Sequence, residues 1–439
     1  MKNLNVLTIL VSFIVAPFAA HAVDVERVIS PGGIEAWLVQ DHANPLLSMN
    51  FAFAGGAELN SKDKNGLDNL AASTMDEGAG TLDSKAFQQR LTDQSISLRF
   101  SAGLDSFGGH LKTLTKNRNE AFDLLRLALT QPRFDVEPVA RLKSQIKAGL
   151  RSNQEDPGTL AYQTLFKTFY PGHGYGNRSK GTLKGLVSIN HDDLVGFVKT
   201  RLAKDGLKIG VVGDVTPMQL GYLLDQTFGG LPETSNFKPV PDIKTEAKGR
   251  VTIIKKDVVQ STIVFAVQGP KRDDPDFYSA VVMNHILGGG SFTSRLYTEI
   301  REKRGLAYSV GTSLYPLKHT GLIVGNAGTE NARVGETVNI VRREWKRLAN
   351  GDLQQQELKD AKNYVTGSFP LRLTSTSAIA QVLVAMQVHN LGIDYLDQRN
   401  AYIQAVTLES VRHVAAKYLK PDTMDVVIVG KPNGIQAKP

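Results

Sequence analysis

The chain has 439 residues, of which 41% are hydrophobic and 21% are charged, as is typical of a globular protein. It contains no cysteine, which excludes disulfides and thiolate metal sites. A net charge of +8 is mild for this length, and there is neither a basic block nor a nucleic-acid-binding motif. We therefore expect no nucleic-acid partner.

The amino terminus has the pattern of an export signal. Lys2 precedes an apolar stretch over residues 6–19, and Ala20, His21 and Ala22 then form a small-x-small cleavage site. The stretch is shorter than the roughly 20 residues of a membrane-spanning helix, although an uncleaved anchor is the alternative interpretation. We predict a signal peptide over residues 1–22, cleaved after Ala22, a periplasmic or secreted mature chain, and no membrane span in that mature chain.

The first half alternates between strand-like and helical patterns. The predicted strands are 34–40, 46–54 and 95–114, and the predicted helices are 83–94, 118–131 and 139–154. Pro132 ends the second of these helices. Strands and helices mixed in this order predict an α+β fold, in which a mainly antiparallel or mixed sheet has helices packed on one face.

The chain repeats itself weakly. A helix followed by a strand closed by glycine occurs twice, and the two copies lie 217 residues apart. The matching positions are Ile189, Leu194, Phe197, Leu202 and Gly213 in the first copy, and Val406, Val411, Val414, Leu419 and Gly430 in the second. Near the start of each half, Phe51 and Phe265 begin similar segments at an offset of 214. Two offsets that agree so closely predict two homologous domains that arose by duplication.

A polar segment with Pro239 and Pro241 separates the two copies. Proline restricts its own backbone and that of the residue before it, so this segment is predicted to be an extended linker. We place the first domain at residues 24–230, the linker at 231–249 and the second domain at 250–437.

The most specific motif is "LGGGSFTSRLYTEIREKRGLAYSVGTSL", from Leu287 to Leu314. It resembles the carboxyl-half signature of the pitrilysin/insulinase metallopeptidase family, which includes mitochondrial processing peptidase and bacterial two-subunit relatives. The resemblance extends over nearly the whole mature chain, with its duplication and its linker. It implies a fold of two homologous domains and a role in peptide cleavage.

Members that cleave peptides carry an inverted zinc motif, H-x-x-E-H, on a helix of the first half, and a further glutamate ligand downstream. The two histidines bind zinc from one helix face, and the motif's glutamate activates water. The resemblance places the histidine positions at Asn69 and Ser73, the glutamate at Ala72 and the downstream ligand at Gly149. All four positions of this degenerate zinc site lack the required chemistry.

No other zinc motif is evident. The nine histidines are never within five residues of one another, and no cysteine can replace them. Asp76 and Glu77 follow the degenerate motif, and we interpret them as a solvated helix end. We predict no metal and no cofactor on this chain.

The substrate-contacting residues of the family are retained. The resemblance implies that Tyr308 donates a hydrogen bond toward the scissile carbonyl and that Arg301, seven residues earlier, holds the substrate. The alternative makes Arg301 part of a solvated cluster with Lys303 and Arg304, and Tyr308 an ordinary strand residue. The turn Gly288, Gly289 and Gly290 resembles a family turn along which a peptide passes, or else it is a plain structural turn.

The leading hypothesis is an accessory subunit, inactive alone, whose partner supplies the zinc and an intact H-x-x-E-H motif. Arg301 and Tyr308 would then act in trans on unfolded peptides bound as an added strand. A non-catalytic structural or peptide-binding protein of the same fold is the alternative, and a peptidase active by itself is a third interpretation. Neither the substrate sequence nor the partner follows from the sequence, which leaves a homodimer open.

Overall fold

The computed structural model describes residues 24–177, 179–244 and 247–439, so the predicted signal peptide lies outside the described residues. The strands are β1 (Glu26–Ile29), β2 (Glu35–Gln40), β3 (Leu46–Ala54), β4 (Ser97–Ala102), β5 (Ser106–Leu114), β6 (Lys208–Gly213), β7 (Val251–Lys255), β8 (Gln260–Gln268), β9 (Ala307–Pro316), β10 (Gly321–Glu330) and β11 (Asp425–Gly430).

Helices of varied length connect these strands. The α-helices are α1 (Leu67–Thr74), α2 (Ser84–Asp93), α3 (Arg118–Thr130), α4 (Val136–Glu155), α5 (Pro157–Phe169), α6 (Leu183–Ser188), α7 (His191–Arg201), α8 (Pro217–Phe228), α9 (Phe277–Asn284), α10 (Val334–Ala349), α11 (Gln355–Gly367), α12 (Thr376–Val388), α13 (Tyr395–Gln404) and α14 (Leu408–Tyr418). Two π-helical segments, His285–Gly289 and Tyr297–Glu302, lie between α9 and β9.

The strands form two sheets that share a five-stranded topology, and the first sheet has β1 as an additional edge strand. The first sheet has the order β1-β2-β6-β3-β5-β4, and the second has the order β7-β11-β8-β10-β9. In both, one parallel pair (β2 with β6, β7 with β11) is followed by antiparallel pairs only. The strands β2, β6, β3, β5 and β4 therefore correspond in order to β7, β11, β8, β10 and β9, which confirms the predicted duplication.

Equivalent residues have equivalent constraints in the two halves. Asn190 and Thr407, which are 217 residues apart, each close a capping box at the start of α7 and α14. Gly213 and Gly430 end β6 and β11 with φ angles of 140° and 154°, which favour glycine. A Cβ on Gly213 would lie 2.1 Å from the carbonyl oxygen of Leu46, so glycine is required by contact as well.

Local helices cover one face of each sheet. In the first half, α1, α2, α3, α7 and α8 pack their apolar side chains onto this face. Phe107 packs edge-on against Phe197 of α7, with ring centroids 4.9 Å apart. In the second half, Phe265 meets Trp345 of α10 in the same manner at 5.8 Å. This is the layer of helices on one face that the sequence predicts.

The other face of each sheet is covered by a helix from the opposite half. Ala161 and Leu165 of α5 pack onto the second sheet, whereas Ala380 and Leu383 of α12 pack onto the first sheet. A Cβ on Gly210 would lie 2.6 Å from the carbonyl oxygen of Ala380, so the contact between α12 and β6 is close. Burying a leucine side chain contributes about 1.5–3 kcal/mol, so this exchange ties the halves together.

The connection between the halves runs without a helix or strand over the described residues between α8 and β7. It makes several backbone hydrogen bonds to the rest of the chain; for example, the amide of Ile243 donates to the carbonyl of His319 at 3.0 Å. Among the described residues, no single helix combines the length and apolar character needed to cross a membrane. The helical segments 355–372 and 376–388 meet these requirements only when they are taken together, and the chain bends by 118° between them.

Candidate functional site

The degenerate zinc site lies on α1. This helix begins after Gly66, whose φ of 104° and close approach to Gly181 leave no room for a side chain. Leu70 and Ala71 anchor the helix in the core, which turns Asn69 and Ser73 toward a half-buried face. The spacing places both residues on the face that the family's histidines would occupy.

The side chains at these positions are engaged with backbone. Asn69 donates through Nδ2 to the carbonyl of Lys180 at 3.4 Å, and Ser73 donates to the carbonyl of Asn69 at 2.8 Å. Ala72 is nearly buried, and Gly149 on the neighbouring α4 faces open space. Zinc requires imidazole, carboxylate or thiolate ligands. The residues present do not fit the metal.

The interpretation of Asp76 and Glu77 as a solvated helix end was wrong for Glu77. Its carboxylate is largely buried and pairs with Arg141 at 2.5 Å, while Ser84 donates to it at 2.5 Å. Burial raises the pKa of the neighbouring Asp76 to about 6. The Glu77 carboxylate therefore fastens the segment after α1 to α2 and α4, which depends on how these helices pack.

The predicted Arg301 and Tyr308 are brought together. Arg301 lies in the π-helical segment Tyr297–Glu302, and Tyr308 is the second residue of β9. Gly305, with a φ of 59°, turns the chain between them. The guanidinium carbon of Arg301 lies 4.7 Å from the ring centroid of Tyr308 and 5.0 Å from that of Tyr297. Tyr308 is 78% exposed, so its hydroxyl is accessible.

The cationic side chains near Arg301 form ion pairs with Glu299, whereas Arg301 does not. Glu299 is mostly buried and pairs with Lys303 at 2.6 Å, Arg304 at 2.8 Å and Arg343 at 3.0 Å. The hydrogen bond from Lys303 lowers the pKa of the Glu299 carboxyl. Within the described part of the chain, Arg301 has no carboxylate at salt-bridge distance. Its forked donors can therefore take an acceptor from outside the chain.

The glycine turn packs closely against β9. A Cβ on Gly288 would lie 2.6 Å from Oγ1 of Thr312, and one on Gly289 would lie 2.5 Å from Nδ2 of Asn284. A Cβ on Gly290 would lie 2.7 Å from the carbonyl oxygen of His285. Small residues are thus required for packing here. Substrate contact at Gly289, whose backbone is exposed, stays a prediction.

A buried polar cluster, which the sequence did not predict, lies at the junction of the two halves. Glu58, Asp105 and His319 place ligand-type atoms within 4.8 Å of one another, and they form the one such group of three found among the described residues. Asp105 accepts from the Tyr175 hydroxyl, and His319 contacts Asp242 at 3.2 Å. Burial, followed by the charge of Asp105, raises the pKa of Glu58 to about 7. No local pattern links three residues so distant in sequence.

Comparisons with known proteins agree with this geometry. Residues 188–365 match the family described as "Peptidase M16 inactive domain". A "Non-peptidase homolog YmxG" from Helicobacter pylori is 30% identical over 401 residues, which cover 89% of this chain and 90% of the relative. The chain belongs to the M16 peptidase family. This family is the pitrilysin/insulinase group that the signature indicates.

Other M16 comparisons extend over most of the chain. The crystal structure of a peptidase M16 inactive domain from Pseudomonas fluorescens superimposes with a TM-score of 0.86 at 28% identity, covering 95% of this chain and all of that one. The beta subunit of the mitochondrial-processing peptidase from Lentinula edodes is 24% identical, with 74% of this chain and 73% of the relative covered. The family description and the degenerate zinc site together fit a non-catalytic M16 member.

Proposed function

We propose that this M16 chain is the accessory subunit of a periplasmic zinc metallopeptidase heterodimer that cleaves unfolded peptides. The partner is a homologous subunit that carries the zinc and an intact H-x-x-E-H motif. The observation that carries the proposal is the contrast between the two halves. The zinc positions Asn69, Ala72, Ser73 and Gly149 lack ligands, whereas Arg301 and Tyr308 are adjacent and accessible.

The two side chains offer complementary chemistry to a peptide. The Tyr308 hydroxyl can donate to the scissile carbonyl oxygen, where negative charge develops as the bond is attacked. The Arg301 guanidinium can hold a second acceptor of the same peptide through two parallel N–H bonds. Stacking on Tyr297 and Tyr308 limits the motion of this guanidinium, which reduces the entropy lost on binding.

The peptide has a suitable docking edge next to these residues. β9 is the last strand of the second sheet, so its outer edge has no strand neighbour among the described residues. An extended peptide can pair with such an edge through main-chain hydrogen bonds. Because Tyr308 stands near the start of β9, a paired peptide would pass its hydroxyl.

The similarity to a subunit of a known peptidase supports the proposed heterodimer. The relative from Lentinula edodes is named as a subunit of a processing peptidase, so the family includes members that work as parts of larger enzymes. The names "inactive domain" and "non-peptidase homolog" also favour a second candidate, a non-catalytic structural or peptide-binding protein of the same fold. The two candidates differ in whether an assembled complex needs Tyr308.

Co-expression tests the proposal directly. The mature chain is produced with an H-x-x-E-H homologue from the same genome, and the mass of the product is measured by light scattering. Cleavage of an unfolded, quenched-fluorescence peptide is then compared for each chain alone and for the mixture. We expect a heterodimer that cleaves the peptide, and no cleavage by this chain alone. Two separate monomers, or full activity in the homologue by itself, would contradict the accessory role.

A further inference from the structure

A cavity of about 710 Å³ lies in the second half, between β9 and the helices α9, α11 and α13. Three arginines, Arg272, Arg372 and Arg399, line it, and we name it the arginine pocket. No Asp or Glu is among the residues that line it. The pocket lies apart from Arg301 and Tyr308, which do not line it.

Neutral groups hold two of these arginines in place. Arg272 donates to the hydroxyls of Tyr278 at 3.2 Å and Tyr395 at 3.1 Å, and its guanidinium carbon lies 4.2 Å from the Phe277 ring centroid. Arg399, which is only 9% exposed, lies 4.0 Å from the ring centroid of Phe369. Aromatic faces and hydroxyls orient a guanidinium without neutralising its charge.

The positive charge of the pocket lacks a counterion. Over residues 24–177, 179–244 and 247–439, no carboxylate lies at salt-bridge distance from any of the three arginines. Burial lowers the pKa of Arg399, so its charged form is disfavoured at this position. Arg399 is buried and Arg272 is half-buried, and a buried charge without a counterion is costly, so a bound anion would stabilise this arrangement.

Two residues that line the pocket carry buried polar atoms without a hydrogen-bond partner among the described residues. The buried Thr312 hydroxyl and Oδ1 of Asn284 have no hydrogen-bond partner within the described chain, and both residues line the cavity. A hydroxyl in this position can donate to a bound oxygen. Of these two atoms only the Thr312 hydroxyl can serve a carboxylate, because Oδ1 of Asn284 accepts hydrogen bonds and cannot donate one.

The duplication explains where the pocket lies. The π-helical segment His285–Gly289 packs on β9 and α11, as α1 packs on β4 and α4 in the first half. The arginine pocket therefore occupies, in the second half, the place that the degenerate zinc helix borders in the first half.

We propose that the arginine pocket binds a carboxylate of a peptide, either the carboxyl terminus or an acidic side chain. A planar carboxylate matches the forked donors of arginine better than a single point acceptor does. The identification of the ligand as a peptide rests on the proposed function. The binding itself belongs to this chain alone, because every group that forms the pocket is its own.

The test measures binding of a fluorescein-labelled hexapeptide that ends in two glutamates to the purified mature chain, by fluorescence anisotropy. Two matched peptides separate the sources of the carboxylate. In one the glutamates are replaced by glutamines, and in the other the terminus is amidated. A loss of roughly tenfold in affinity with either peptide supports the proposal and identifies the source. If inorganic phosphate binds and none of the peptides does, the proposal is overturned.

Variants locate the binding in the pocket. Arg372→Gln is the main variant, since Arg372 is exposed and its loss should leave the fold intact, and Arg272→Gln is the second. Arg333→Gln removes the same charge outside the pocket and serves as the control. We expect roughly tenfold weaker binding for the first two and a change within about twofold for the control. Equal affinities in all chains would overturn the proposal.

The outcome is independent of the proposed heterodimer. The assay contains no partner subunit and no catalytic step, so a failure to bind the glutamate peptide leaves the accessory role untouched. Conversely, binding that depends on Arg372 would stand even if co-expression yielded only separate monomers.

Discussion

The guanidinium of Arg301 stacks on the ring of Tyr308, with 4.7 Å between the guanidinium carbon and the ring centroid. The hydroxyl of Tyr308 stays open to solvent, because the contact uses the face of the ring and the residue is 78% exposed. Stacking holds the Arg301 guanidinium and the Tyr308 hydroxyl side by side. Substituting one of these residues should therefore leave the other side chain accessible. Substitutions at the two positions should therefore separate binding from catalysis.

Replacing Tyr308 by phenylalanine should lower the turnover number of the assembled complex by about 100- to 1000-fold. The reason is that only a hydroxyl is removed, and this donor acts mainly as charge develops on the carbonyl oxygen. The Michaelis constant should change little. Peptide-cleavage kinetics measure both values, with Tyr315→Phe on the same strand as the control. Activity within about twofold of the parent complex would make this chain a scaffold.

Replacing Arg301 by alanine should raise the Michaelis constant of the complex while leaving the turnover number less affected, because substrate capture is lost. Arg301→Lys should restore only part of the affinity, since the ammonium lacks the fork. Lys303→Ala is the matched control. Glu299 keeps Arg304 and Arg343 as partners when Lys303 is absent. Equal effects of Arg301→Ala and Lys303→Ala would argue against the role of Arg301.

The purified chain should hold no stoichiometric zinc after dialysis, because the degenerate zinc site offers an amide and a hydroxyl in place of histidines. Elemental analysis of the protein measures the content. If close to one zinc per chain were retained, His319→Ala would show whether the cluster of Glu58, Asp105 and His319 holds it. If the His319→Ala variant also retained zinc, the cluster would not be the binding site, and the assignment of the positions on α1 and α4 as a degenerate zinc site would be contradicted.

Glu58 should make stability depend on pH. Burial raises its folded pKa to about 7, above the unfolded value near 4.5, so the folded state binds the proton more tightly. The resulting stabilisation is complete below the unfolded pKa and is lost as the pH rises through 7. Acidification from about pH 7 to about pH 6 should therefore add about 1 kcal/mol. Urea unfolding at both pH values measures this change.

Glu58→Gln should remove this part of the pH dependence and raise stability near pH 8, because no charge is then buried there. The exposed Glu336→Gln is the control and should leave the pH dependence unchanged. Burial also raises the pKa of Asp68 to about 6, so a weaker slope should persist below neutrality in Glu58→Gln. An unaltered slope between about pH 8 and about pH 7 in that variant would count against Glu58.

The exchanged helices should couple the unfolding of the two halves. Leu165→Ala, on the helix that crosses onto the second sheet, should cost about 2–5 kcal/mol by leaving a cavity. Tryptophan fluorescence reports Trp37 in the first half and Trp345 in the second. We expect one shared transition that moves to lower urea, whereas the exposed Leu371→Ala should change little. Two separate transitions in the parent chain would show that the exchange does not couple the halves.

Much of the fold was predictable because the duplication is recorded in local patterns. Apolar spacing reports which residues face a core, so the repeats around Gly213 and Gly430 were visible 217 residues apart. The exchange of α5 and α12 was not visible. An amphipathic helix shows that it has an apolar face, but the sequence does not state which sheet receives it.

The sequence by itself determined the chemistry available at each position of the site. The absence of zinc ligands at Asn69, Ala72, Ser73 and Gly149 is a matter of residue identity, and so is the presence of Arg301 and Tyr308 seven residues apart. Only the tertiary structure decided how these groups are used. Glu299 takes up three neighbouring cations and leaves Arg301 without a carboxylate in the described chain. Charge pairing and burial depend on distances in space, and residues remote in sequence set those distances.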